Sequence, residues 1–229
     1  MKADLPLYLR LVQANRHDSV SAVVALTEFR DLYPGLKINT FIHDSACDNL
    51  ATYELLNQWN INAVVALAEK GNFKYPPHIS VDDNGVPICS RGYKMVRWGH
   101  CPDRDRIKYR CPRKLRKVSE CACTDDCSPS DYGRTIYIYP KWDLRLFTVI
   151  PRGSDLWKLK MKSRSSIERI NDRVLHDYGI ENACSRGKKR ISFAVTIAAT
   201  NIHLDIQLKF LSADGLFDFN SLFISNIAA

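Results

Sequence analysis

Ile38-Asn39-Thr40-Phe41-Ile42-His43-Asp44 decides the fold, read together with the segments that follow it. Ile38–Ile42 is a short apolar strand that stops at His43-Asp44. Asn49 to Trp59 then presents Leu50, Tyr53, Leu55 and Leu56 at helical spacing. Next comes Ala63-Val64-Val65-Ala66-Leu67, an apolar run fit for a strand buried on both faces. Upstream, Leu5–Val12 alternates enough to read as a strand, with Pro6 at its start where a missing N–H is tolerable. Asp18 or Ser19 can cap a helix over Ser21–Leu32, ended by Pro34-Gly35. The order strand, helix, strand, helix, strand predicts an α/β sheet with parallel pairs.

The character changes near Lys70. Six of the eight cysteines fall between Cys89 and Cys127, and Arg91–Lys117 holds eleven Lys and Arg against Asp103 and Asp105. This reads as a mainly β insertion, followed by strand-like runs at Thr135–Tyr139 and Leu144–Ile150. Helical periodicity resumes over Leu156–Leu175 and Phe193–Leu211. The expected organisation is a first α/β part at 1–69, the insertion at 70–157, a second part at 158–211, and a patternless tail at 212–229.

A net charge of +8 and a pI near 9.1 favour a polyanionic partner, nucleic acid before membrane. The N-terminus shows no cationic region followed by an apolar stretch, so no signal peptide is expected. Ile191–Leu208 carries Asn201, His203 and Asp205, so no membrane span is expected there. A cytoplasmic location keeps thiols reduced, and the cysteines then need an explanation other than disulfides.

Several residues have chemical potential. Asp44 falls at the carboxyl end of a strand, where an open α/β sheet places ligand groups; it is equally placed to shape a turn or cap a helix. Arg164 and Glu168 are an i, i+4 pair, which leaves an exposed salt bridge and a ligand carboxylate both open. Ile167, Ile170 and Val174 should face a core. Cys111, Cys121, Cys123 and Cys127 read C-x9-C-x-C-x3-C, consistent with a structural zinc or with buried reduced thiols. Cys47 and Cys184 stand apart as packing residues. The basic stretch is interleaved with Tyr93, Trp98 and Tyr109, and suits either DNA phosphate contacts or a solvated face. Arg186-Gly187-Lys188-Lys189-Arg190 is a second basic cluster open to the same two readings.

Five motifs in order carry a resemblance: His17-Asp18-Ser19, Asp44-Ser45-Ala46-Cys47-Asp48-Asn49, Lys108-Tyr109-Arg110-Cys111-Pro112, Tyr132-Gly133-Arg134, and Arg164-x3-Glu168-Arg169-x-Asn171. From about Leu5 to Leu211 the chain resembles the DDE transposases of bacterial insertion sequences. The resemblance implies an RNase H-like mixed sheet, interrupted by the Cys-rich basic insertion between the second and third catalytic acids. Asp44 matches the second acid and Glu168 the third, both as ligands of a Mg²⁺ or Mn²⁺ pair that drives phosphodiester cutting and joining. Arg164 would contact DNA phosphate near the cleavage point, with Arg169 and Asn171 beside it. Lys108, Arg110, Arg113 and Lys114 are the other expected DNA contacts.

Met161 stands where the family has tyrosine, and Leu175 where it has lysine. The family's first catalytic aspartate belongs on a strand ahead of the segment matched by Leu5–Val12. The expectation is therefore a C-terminal part of the domain, missing its N-terminal strands and unable to cleave DNA alone. The implied function is DNA transposition in a bacterial cytoplasm, associated with the nucleoid. The implied partners are double-stranded transposon ends, and a second copy or full-length transposase. The alternative is a catalytically inactive, DNA-binding remnant stabilised by zinc.

Overall fold

The computed structural model describes residues 4–13, 15–68, 72–118, 121, 127–184 and 186–213, and shows a mixed α/β chain with small sheets. It divides into two compact units: residues 17–24 with 30–163, and residues 1–16 with 25–29 and 164–229. The first helix, α1 (Asp18–Leu32), begins at the earlier of the two expected capping residues, and none of its residues is buried.

In the larger unit, β1 (Thr40–His43) and β2 (Asn62–Val65) pair in parallel, Thr40 opposite Asn62 and His43 opposite Val65. A parallel pair needs a crossover, supplied here by α2 (Leu50–Gln58). Asn49 starts α2 by accepting the Thr52 N–H on its side chain. The apolar face of α2 buries Tyr53 and Leu56, the fully buried Leu56 contributing about 1.5–3 kcal/mol. β2 is shorter than expected. It stops at Val65, and only Val64 and Val65 are buried, so it is not covered on both faces along Ala63–Leu67.

Residues 73–147 build a core of their own. β3 (Ser80–Val81) and β4 (Pro87–Ile88) form an antiparallel hairpin. Its turn is held by the Asp82 carboxylate, which accepts the N–H groups of Asn84 and Val86. Gly85 sits there at φ 75°, and a Cβ would lie 2.7 Å from the Leu146 carbonyl oxygen. β5 (Val96–Cys101), β6 (Arg106–Arg110) and β7 (Thr135–Ile138) form an antiparallel sheet with β6 in the middle. The alternation Arg-Ile-Lys-Tyr-Arg on β6 sends Ile107 and Tyr109 to a core with Met95, Ile138, Leu146 and Phe147. Arg106, Lys108 and Arg110 take the opposite face.

Leu144–Ile150 is not a strand. The Asp143 carboxylate accepts the N–H groups of Arg145 and Leu146, curling the chain into a turn that still buries Leu146, Phe147 and Ile150. α3 (Asp155–Lys162) follows, capped by the Ser154 hydroxyl on the Trp157 N–H.

In the smaller unit, α4 (Ser165–Asp172) runs into a π-helical turn at Arg173–Asp177, and α5 spans Lys188–Ala213. The expected single helix over Leu156–Leu175 is broken after α3, where the Ser163 hydroxyl and N–H both turn back to the Lys160 carbonyl. Ile170 and Val174 meet Ala198 and Ile202 of α5 to form this unit's core. Ile167 does not share it: it lies in the first turn of α4, beyond those contacts, and stays 59% exposed.

Leu5–Val12 carries no strand. Pro6 lends its carbonyl to His203, and Tyr8 and Arg10 bind Glu28, so side chains tether the segment where a ladder was expected. Cys184 is exposed and is not a packing residue. α5 is long and apolar enough to cross a membrane by length and composition. Of the polar residues that argued against a span, His203 has the Pro6 contact, and Asp205 accepts from Arg173 at 2.7 Å and from the Tyr178 hydroxyl at 3.0 Å.

Candidate nucleic-acid interface and acidic residues

The outer face of the three-stranded sheet interleaves cations with aromatic rings. Arg106 lies 4.2 Å from the Tyr137 ring centroid and Lys108 4.5 Å from that of Tyr132. Arg110 sits between Tyr132 at 3.4 Å and Trp98 at 4.4 Å. Trp98 itself is 54% exposed; it follows Arg97 on β5, so strand alternation puts it on this face, and the register shifts between Arg97 and Gly99. Arg110 is buried, with one guanidinium nitrogen donating to the Tyr132 carbonyl. It therefore organises the face more than it offers itself to a ligand.

Beyond the end of β6, Arg113, Lys114, Arg116 and Arg134, all exposed, line one cavity of about 390 Å³ with Cys111 and Cys127. Lys114 is 3.4 Å from the Asp131 carboxylate. Lys108, half-buried, lies on the outer face of β6. Such a group of cations is chemically able to contact phosphate oxygens, and contacts of that kind carry no base readout.

Asp44 directly follows β1. Its Oδ1 accepts the Ala46 N–H and lies 2.9 Å from His43 Nδ1, capping the short 3₁₀ turn Ser45–Cys47. The His43 ring stacks on Phe41. Cys47 packs beneath, its thiol pushed up to about 12 by burial, with the charges of Asp44 and Asp18 adding to the effect.

Glu168 lies in the other unit. Its Oε1 is 2.7 Å from Arg164, both side chains being substantially exposed. Arg169 is paired with Asp4 at 2.6 Å and bonds the Ser165 and Ser166 hydroxyls. Asn171 is exposed. Cys111 is buried, Cys121 and Cys127 are half-buried, and Cys123 lies outside the described residues. Among the described residues, no group of three or more His, Cys, Asp or Glu side chains forms a metal-binding cluster.

One polar centre was not foreseen. Asp48, its side chain fully buried, receives a two-pronged contact from Arg145, Nη2 to Oδ2 at 2.7 Å and Nε to Oδ1 at 3.3 Å. It also accepts the Ala68 N–H at 2.8 Å, and Arg152 approaches to 4.0 Å. The Arg152 guanidinium donates to the carbonyls of Val65 and Arg145 and to the Tyr53 hydroxyl. Burial works to raise the Asp48 carboxyl, but the Arg145 hydrogen bond, the Ala68 N–H and the Arg145 charge outweigh it and hold it below the usual range. The centre ties the end of β2 and α2 to the turn at Asp143–Arg152. A signal for it was present in two arginines set within the apolar segment Leu144–Arg152, since charges buried there require a partner.

Comparison of the chain with family models, with curated proteins and with solved structures gave no match.

Proposed function

We propose that this chain is part of a DDE-type transposase catalytic domain of RNase H-like fold, which grips double-stranded DNA through its insertion. The observation that carries the DNA-binding part is the cluster of exposed Arg113, Lys114, Arg116 and Arg134 around one cavity, with Lys108 on the outer face of β6. The fold reading is supported by the parallel β1–α2–β2 unit with Asp44 at the carboxyl end of β1.

Asp44 and Glu168 each offer hard carboxylate oxygens, the donors that Mg²⁺ and Mn²⁺ prefer, and each would serve as a ligand to such an ion. Bound there, the ions supply charge stabilisation at a phosphodiester and a more acidic water. The chain's own contribution is to orient the carboxylates: His43 and the Ala46 N–H fix Asp44, and Arg164 fixes Glu168. Cys111 and Cys127 line one cavity and thiolates suit zinc; with Cys121, and with Cys123 outside the described residues, they make up the proposed zinc ligands. About one zinc per chain, by elemental analysis of untagged protein, supports that site; substoichiometric zinc removes it.

A second reading, a DNA-binding remnant without chemistry, is favoured by the structural work both acids already do as cap and salt bridge. Since the chain is expected not to nick DNA alone, the discriminating measurement is Mn²⁺ binding: binding weakened by Asp44→Ala and by Glu168→Ala would favour the catalytic reading. Salt-sensitive DNA binding with no Mn²⁺ binding that depends on these acids would select the remnant, and metal-dependent nicking by the chain alone would overturn the expectation that it cannot cleave. Failure to bind duplex DNA removes both.

A further inference from the structure

On the core side of the insertion sheet, opposite the cation–aromatic face, lies a second cavity of about 500 Å³. Its walls are mostly apolar, formed by Val86, Met95, Tyr109, Ile150, Pro151 and Leu156. Arg97 enters it from β5, directly across the sheet from Tyr109. Alternation along β5 puts Arg97 on this inner face, with Tyr109, and Trp98 on the outer one, with Arg110.

The charges around the cavity do not balance. Lys94 is held by Asp82 at 2.7 Å, and the Asp82 carboxylate is further occupied by two backbone N–H groups. Arg152 spends its guanidinium on carbonyls and on the Tyr53 hydroxyl. Arg97 has no carboxylate within ion-pairing distance among the described residues, and its Nε is sealed from solvent with no hydrogen-bond partner. Burial lowers its basicity, with only the Tyr109 phenol nearby to oppose that. A half-buried guanidinium with one nitrogen sealed and no anion beside it is incompletely satisfied, and a carboxylate or phosphate is the group that would complete it.

We propose that this cavity is a binding site for a small organic anion, with a carboxylate or phosphate head on Arg97 and an apolar or aromatic body against Met95, Tyr109, Ile150 and Leu156. The apolar walls reject a bare inorganic ion, which would leave them wet, and the unneutralised arginine rejects a neutral hydrocarbon.

The test is calorimetric titration of the full chain with phenyl phosphate, benzoate and inorganic phosphate, on the wild type, Arg97→Met and Leu156→Trp. Phenyl phosphate or benzoate should bind at one site per chain, and more tightly than inorganic phosphate. Arg97→Met should weaken binding at least about tenfold, the loss expected for one charge-assisted hydrogen bond. Leu156→Trp, which fills the mouth and keeps Arg97, should weaken it as well. Thermal melting of ligand-free Arg97→Met separates a binding role from a structural one: removing an unpaired, half-buried charge should leave the melting temperature unchanged or raised. A lowered melting temperature, absence of saturable binding at millimolar ligand, or equal affinity in wild type and Arg97→Met would overturn the proposal.

Discussion

Asp48→Asn is the sharpest perturbation of the larger unit. The substitution keeps the side chain's shape and removes its charge, leaving Arg145 and the almost fully buried Arg152 without their anion. Breaking a buried pair by removing one partner costs about 3–5 kcal/mol, because the surviving charge stays desolvated. With a denaturant slope of about 1–3 kcal/mol per molar urea, the unfolding midpoint should fall by at least about 1 M. The assay is tryptophan fluorescence in urea: all four tryptophans, Trp59, Trp98, Trp142 and Trp157, lie in this unit and report on it directly. Acid adds a second readout. The Asp48 carboxyl is held below its ordinary value in the folded state, so its stabilisation is complete above the ordinary carboxylate range and is lost as pH falls through the lowered folded value. The wild type should therefore lose stability in that acid window, and Asp48→Asn should lack that component. A midpoint shift within error at neutral pH, or an unchanged acid profile in the variant, would refute the reasoning.

Other predictions follow from single sites. Gly85→Ala forces an L side chain to φ 75° and a Cβ to 2.7 Å from the Leu146 carbonyl oxygen, so it should destabilise by about 1–3 kcal/mol, read by the same urea titration. Cys47, buried and with its thiol pushed up to about 12, should resist iodoacetamide in the native protein at mildly alkaline pH, while exposed Cys184 reacts; peptide mapping by mass spectrometry distinguishes them. Ile202→Ala should cost about 2–5 kcal/mol, seen as an earlier loss of helical circular dichroism, because Ile202 is fully buried against Ile170 and Val174.

What the sequence disclosed follows the range of the interactions involved. The β1–α2–β2 unit was legible because its determinants are local: an apolar run, the Asn49 cap, a second apolar run. β6 was visible as a basic stretch with aromatic residues, but its role as a sheet with one cationic face emerged only from the pairing with β5 and β7. Leu5–Val12 and Leu144–Ile150 carried strand-like composition. A strand also needs a ladder partner, and the Asp143 carboxylate captured the second segment's amides first. The Asp48 centre could not be paired from sequence, since Arg145 lies 97 residues away. Arg97 was one of eleven cations in its stretch; nothing local marked it as the one facing inward. Asp44 and Glu168 were identified as acids of interest, and their engagement by Ala46, His43 and Arg164 became evident from geometry.

The most direct test of the account is the salt dependence of duplex DNA binding by the wild type and by the triple variant Lys108→Ala, Arg113→Ala, Lys114→Ala. If these side chains neutralise phosphates, the logarithm of the wild-type affinity falls linearly with the logarithm of salt concentration. The variant's slope should then be shallower by about 2–3, close to 0.9 for each lost contact. Binding that ignores salt, or a slope left unchanged by the triple substitution, would contradict the proposed interface.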